Sequence, residues 1–254
     1  MPAVDLSQFQ LGKKAAKRDP RTLKLAAYLP ETPPVAPANR SWSSAVSKWP
    51  MLSNDVLADC TIAAALHMQE CWCANSKSRV CTPTNDEALE AYERVCGYDP
   101  KNADTTDNGG VILDVLNAWR KDGIGGKTID AFVEVNRKDR NSVKLAIDFF
   151  GGLDIGILLP VSAQKQKIWR YRPDQPGFEL NSWGGHSVSI VNYSAIDLTC
   201  VTWGTLMKMS WPFFDEYCDE AFAAISEDWF DQNKKTPAGL DLATLQADLK
   251  IVTN

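Results

Sequence analysis

The sequence predicts an α+β protein with helices in its first half and antiparallel strands in its second, forming two lobes with a cleft between them. Helical spacing dominates residues 61–121, whereas short apolar or alternating runs bounded by turn residues dominate from Ile129 onward. The two kinds of segment do not alternate, which argues against a doubly wound parallel sheet. With 254 residues, 44% of them hydrophobic, the chain can bury a core of one large domain or two packed lobes.

Residues 1–37 open with Lys13, Lys14, Lys17, Arg18, Arg21 and Lys24 and run into Pro30, Pro33, Pro34 and Pro37. They read as a basic, Pro-rich extension and linker, a solvated arm before a domain at 38–230. Thr61 to Asn75 is rich in Ala, Leu, Met, Gln and Glu with no Gly or Pro, and reads as a helix with Cys60 at its first turn. Helical spacing recurs over Glu87–Val95 and over Val111–Lys121, the latter following Asp107-Asn108-Gly109-Gly110 and stopping before Gly123. Ala131–Val135, Leu153–Leu159 and Ser187–Tyr193 have the pattern of strands. Between Ser210 and Asp228, a Pro placed just after a Ser cap predicts an added helix. Residues 231–254 are expected to form a C-terminal tail with a short helix.

Charge and cysteine usage narrow the class. A net charge of −5, with no strongly basic face, excludes a nucleic-acid partner. The first thirty residues lack the pattern of a secretory signal, and no apolar run approaches ~20 residues, so neither membrane insertion nor export is expected and the location reads as cytoplasmic. Seven cysteines, an odd number, argue against a complete disulfide framework of the small secreted type and for ordinary thiols in a reducing compartment. Cys71-x-Cys73 without a second ligand pair is a weak zinc signal, and no metal or organic cofactor is expected.

The histidines allow an argument by elimination. Only His67 and His186 occur. His67 lies seven residues beyond Cys60 on the same helix, roughly 10 Å along the axis at 1.5 Å per residue, too far to touch its sulfur. It reads as a packed helix histidine. Any cysteine–histidine dyad therefore uses His186, which follows Gly184-Gly185 and opens a strand. Among the thiols Cys60 is the candidate nucleophile, because unpaired N–H groups and the macrodipole at a helix start favour thiolate. The residues alone leave open whether Cys60 and His186 meet.

The order of motifs over residues 38–225 resembles the papain family of cysteine proteases. Ser41-Trp42 and Asn54, six residues before Cys60, are similar to the family's Asp-Trp and oxyanion glutamine; Asp107-Asn108-Gly109-Gly110 resembles its Cys-Asn-Gly-Gly; Gly185-His186-Ser187-Val188 through Asn192-Tyr193 resembles its histidine strand; and Val201-Thr202-Trp203-Gly204 resembles its Asn-Ser-Trp-Gly. The family's disulfide partners are matched by Leu57 and Asp107, so both are missing together. Its orienting asparagine is matched by Val201, which has no polar atom, and Thr202 is the substitute candidate. Asn181-Ser182-Trp183-Gly184 stands before His186 rather than after it and reads as coincidence. Asp59 beside Cys60 is more like the acidic-Cys pair of bacteriocin-processing peptidases in the same clan and reads as a helix cap. Similar bacterial and phage proteins point to a divergent member of this kind.

The resemblance implies a papain-like two-lobed fold and a thiol hydrolase of peptide or related amide bonds acting through a thioester. Cys60 would be nucleophile, His186 base, Asn54 and backbone N–H groups the oxyanion donors, Thr202 the orienting group, and Gly109, Gly110 and Trp203 the lining of the substrate cleft. The partner would be a peptide or protein. A pro-segment role for residues 1–37 is implied as well. Two alternatives stay open: a papain-fold binding or structural module whose catalysis has decayed, and an acyltransferase or cell-wall amidase using the same dyad. Oligomeric state is not legible.

Overall fold

The computed structural model describes residues 5–76 and 81–230. In chain order the elements are β1 (Arg40–Ser41), α1 (Cys60–Ser76), α2 (Asn85–Cys96), α3 (Ala103–Thr106), α4 (Ile112–Asp122), β2 (Ala131–Glu134), α5 (Arg140–Phe150), β3 (Leu153–Leu159), β4 (Ile168–Trp169), β5 (Gly184–Tyr193), β6 (Asp197–Thr202), β7 (Thr205–Ser210), α6 (Trp211–Tyr217) and β8 (Cys218–Ile225). Helix α1 is buried on all sides along most of its length and has no distinct polar face. Ile62, Leu66, Met68 and Trp72 are fully buried, and the Trp72 indole donates to the Phe150 carbonyl at 2.8 Å. The flanking helices start and stop where local chemistry directs. Thr84 and Glu87 form a reciprocal capping box at the start of α2, and Gly97, at φ 77°, closes it in the left-handed region that glycine enters without penalty.

The strands form one sheet in the order β2-β8-β3-β5-β6-β7-β4, with β1 added beside β5. The β3–β5 ladder sets Ile157 opposite His186 and Gly156 opposite Ser187. Most residues of β3 and β5 are buried, and the two strands pack against α1, α5 and α6.

Four expectations need correction. The sheet is not wholly antiparallel, because β4 runs parallel to β7. The predicted helix after Ser210 does form, with Ser210 capping Phe213, but it ends at Tyr217 and the chain continues as β8. The strand-rich half also holds α5, capped by Asp139 and closed by Gly151 at φ 76°. The N-terminal extension, finally, is no solvated arm: Leu6, Lys13 and Leu25 are buried against the rest of the protein. The predicted C-terminal tail, 231–254, lies outside the described residues.

Candidate active site

Cys60 begins α1 with its side chain fully buried. Two contacts fix this end of the helix on the histidine strand. The N–H of Ser187, next to His186, points at the Cys60 sulfur, and Ser189 Oγ donates to the Ala64 carbonyl at 2.6 Å. The structure thus brings Cys60 and His186 to one place, at the junction of α1 and β5.

The imidazole is held from two directions. Its Nε2 lies 2.7 Å from Thr202 Oγ1, so the hydroxyl one residue beyond Val201 is in hydrogen-bond contact with the ring. Among the described residues its buried Nδ1 has no hydrogen-bond partner, Cys60 included. Trp203 stacks on the ring at 4.5 Å and 13°, at a positive φ of 46°. Trp183 stacks in turn on Trp203 at 5.8 Å, so this tryptophan of the displaced Asn-Ser-Trp-Gly run belongs to the aromatic cover of the site.

Burial controls the protonation states. It pushes the Cys60 thiol up to about 12, against the opposing pull of the Ser187 and Gly12 N–H groups. It also lowers the His186 imidazole to about 3. Both groups are neutral here, which corrects the expectation of a thiolate: the helix start is in place, but the sulfur is shut away from water. The other corrections lie beside it. Asn54 Nδ2 donates to Asp59 Oδ1 at 3.0 Å, so one of its two amide hydrogens serves a buried neighbour. Asp59 does not cap α1 with its side chain; its backbone carbonyl accepts from Ile62 and Ala63 while burial raises its carboxyl to about 8.

What seals the sulfur is the N-terminal strap. The Gly110 N–H donates to the Gly12 carbonyl at 2.8 Å, the Lys14 N–H to the Gly110 carbonyl at 2.8 Å, and the Lys13 N–H to the Gly185 carbonyl at 3.0 Å. Contact at Gly109 is so close that a Cβ there would stand 1.8 Å from the Gly12 carbonyl oxygen. Gly109 and Gly110, expected to line a substrate cleft, thus hold a segment of the same chain. Phe9, upstream on the strap, packs on Trp203 at 5.1 Å. Of these contacts the sequence showed only the cleft side; Gly12 and Lys13 carried no signal beyond a basic run.

Asp107 substitutes for the missing family cysteine in another way. Its Oδ1 accepts from the Ala58 N–H at 3.0 Å and from the Tyr92 hydroxyl at 2.7 Å, while the Gly109 N–H donates to that hydroxyl at 2.8 Å. Hydrogen bonds therefore tie the glycine loop to the turn before Cys60. Elsewhere, Cys73 and Cys81 are paired as a disulfide with Cα atoms 5.9 Å apart, within the usual span of the bond, in contrast to the expected set of free thiols. His67 is buried, with Nε2 2.8 Å from the Pro50 carbonyl, as a packed histidine. No helix among the described residues is long and apolar enough to cross a membrane.

No protein-family model and no curated protein sequence matches the chain. Solved structures do match its fold. Xylellain, a cysteine protease from Xylella fastidiosa, superposes with a TM-score of 0.65 at 13% identity, over 86% of this chain and 97% of its own. Procathepsin L 3 of Tenebrio molitor larval midgut gives 0.61 at 15%, over 87% and 77%. The proform of the ragweed pollen cysteine protease Amb a 11 gives 0.56 at 16%, over 79% and 68%. The protein therefore has the two-lobed α+β fold of the papain-like cysteine proteases.

Proposed function

We propose that the protein is a thiol hydrolase that cleaves peptide or related amide bonds through a thioester, and that residues 11–14 hold it closed. The observation that carries this reading is the division of the His186 ring: Nε2 is engaged by Thr202, while Nδ1 is unpartnered at the junction where Cys60 lies. With Nε2–H donating to the Thr202 hydroxyl, Nδ1 has the lone pair that takes the Cys60 proton. The sulfur attacks the carbonyl carbon, the backbone N–H of Cys60 and the second Asn54 amide hydrogen face the oxyanion, and the imidazolium returns its proton to the leaving amine. Water then hydrolyses the thioester. Stacked Trp203 favours the imidazolium through its ring face and keeps water from the Thr202 contact.

Cleavage requires the strap to leave, since its Gly12 N–H points at the sulfur where a substrate carbonyl must come. The test is iodoacetamide labelling at mildly acidic pH, read by mass spectrometry, in the full chain and in Lys13→Glu, which places like charge beside Asp219 and Glu220. Cys60 should label slowly in the first and rapidly in the second, and His186→Ala should slow it again. Labelling of Cys60 in the opened chain no faster than that of the other thiols transfers the preference to a binding module without catalysis, the reading favoured by Val201 at the position of the orienting asparagine.

A further inference from the structure

Lys13 is an unusual lysine. Its side chain is wholly buried, and its ammonium donates to Asp219 Oδ2 at 2.7 Å and to the Lys14 carbonyl at 3.2 Å and lies 3.1 Å from Glu220 Oε1 as an ion pair. The pocket floor is Gly156 in the middle of β3, where a Cβ would stand 2.0 Å from Lys13 Cε and 2.7 Å from Asp219 Oδ1. Glycine weakens a strand interior, so its presence here marks room kept for another group. The β3–β5 register places Gly156 opposite Ser187, whose N–H points at the Cys60 sulfur, so the pocket opens beside the candidate nucleophile.

More carboxyl groups gather here than Lys13 contacts. Among the described residues Glu220 Oε2 and the Oδ2 of nearby Asp154 are buried with no hydrogen-bond partner, burial raises the Asp154 carboxyl to about 8, and Glu134 acts electrostatically on Glu220. These groups do not converge as metal ligands, for no cluster of three or more such side chains among the described residues could hold an ion. A buried ion pair is a poor device for stability alone, because well-packed apolar side chains serve as well or better. A carboxylate-lined slot at the cleft, filled by an adjoining strand of peptide, is in contrast a device for recognition.

We infer that the slot formed by Gly156, Asp219 and Glu220 selects substrates with a lysine or arginine within two residues of the scissile bond, and that Lys13 occupies it in the closed protein as a substrate-like side chain. The strap places Lys13 next to Gly12, the residue at the sulfur, which sets the distance of the basic residue from the bond cut. The inference rests on the hydrolase reading for its consequence, but the pocket is testable without turnover.

The test uses the full chain carrying Lys13→Glu, with Lys13→Ala as the second opened form should the first not fold. Matched fluorogenic peptides differ only in carrying lysine, arginine or norleucine near the scissile bond. The basic peptides should be cleaved with a kcat/KM about tenfold or more above the norleucine peptide. Asp219→Asn with Glu220→Gln should bring that ratio close to one. Norleucine cleaved as well as lysine overturns the inference and leaves the hydrolase reading standing. A second measurement adds Cys60→Ser and follows, by fluorescence anisotropy, binding of a peptide with the sequence of residues 8–18 and of the same peptide with norleucine in place of Lys13. Binding about tenfold tighter for the lysine form supports the pocket even where no peptide is cut, a result that sinks the hydrolase reading alone. Equal or absent binding of the two overturns the inference.

Discussion

The two histidines occupy environments that look alike by most measures. Both are buried, both have their imidazole pKa lowered by burial, to about 4 in His67 and about 3 in His186, and each packs against a tryptophan. They differ in what holds the ring. His67 Nε2 faces the Pro50 carbonyl, which can only accept, so that nitrogen must carry the proton. His186 Nε2 faces the Thr202 hydroxyl, which can accept or donate, and its Nδ1 has no hydrogen-bond partner among the described residues. Burial and a shifted pKa therefore do not separate the two; an uncommitted ring nitrogen does, and it is what the base role proposed for His186 requires.

The largest effect should come from exchanging the two. In the opened Lys13→Glu chain, His186→Ala should lower kcat/KM on a basic peptide by about 10²–10⁴-fold, the usual contribution of a positioned general base. His67→Ala should leave turnover of the folded fraction intact and cost about 1–3 kcal/mol in urea unfolding, because it removes a buried ring and a hydrogen bond. A comparable turnover loss in both variants would erase the distinction drawn between them.

A smaller loss should follow Thr202→Val, which keeps the shape beside His186 and removes the hydroxyl. One hydrogen bond is worth about 1 kcal/mol, so a fall of about five- to tenfold in kcat is expected with KM little changed. No loss would mean that Trp203 alone orients the ring.

Asp59 supplies a test by pH. Burial raises its carboxyl from 3.8 to about 8, so the folded state binds a proton that the unfolded state releases between those values. Its contribution to stability is complete below about pH 4 and is lost as pH rises through about 8. Asp59→Asn, which keeps an oxygen for Asn54, should flatten this part of the pH–stability curve and raise the melting temperature at pH 8 relative to the native chain.

The smallest effect is a count. Denatured without reductant, the protein should titrate five thiols, Cys60, Cys71, Cys96, Cys200 and Cys218, and seven after reduction. Seven in both samples would restore the all-thiol expectation.

Much of the frame was legible because it is local. Composition marked α1, the spacing of apolar residues marked α2 and α4, and short apolar or alternating runs marked β2, β3 and β5. The same rule was available for α5, where Val143, Ala146, Ile147 and Phe150 repeat at helical spacing between Asp139 and Gly151, but the strand-like surroundings hid it. Helix α6 was overextended because Ser210 and Pro212 signal where a helix starts, and nothing comparably strong marks its end at Tyr217.

For the site, the two candidates could be read along the chain. With two histidines in the chain and one of them too far along α1, His186 was the only base Cys60 could have, and Thr202 was the nearest polar group to the position Val201 leaves empty. Tertiary structure decided the rest. Whether Asn54 turns to an oxyanion or to Asp59, whether Lys13 is solvated or buried, and whether Cys60 is thiol or thiolate depend on which distant segments exclude water from each group. Lys13 meets Asp219 across 206 residues of chain, and the sulfur is sealed by a glycine 48 positions before it. Periodicity acts over a few residues and can be read along the chain, whereas desolvation and ion pairing act through space and exist only once the fold has brought their partners together.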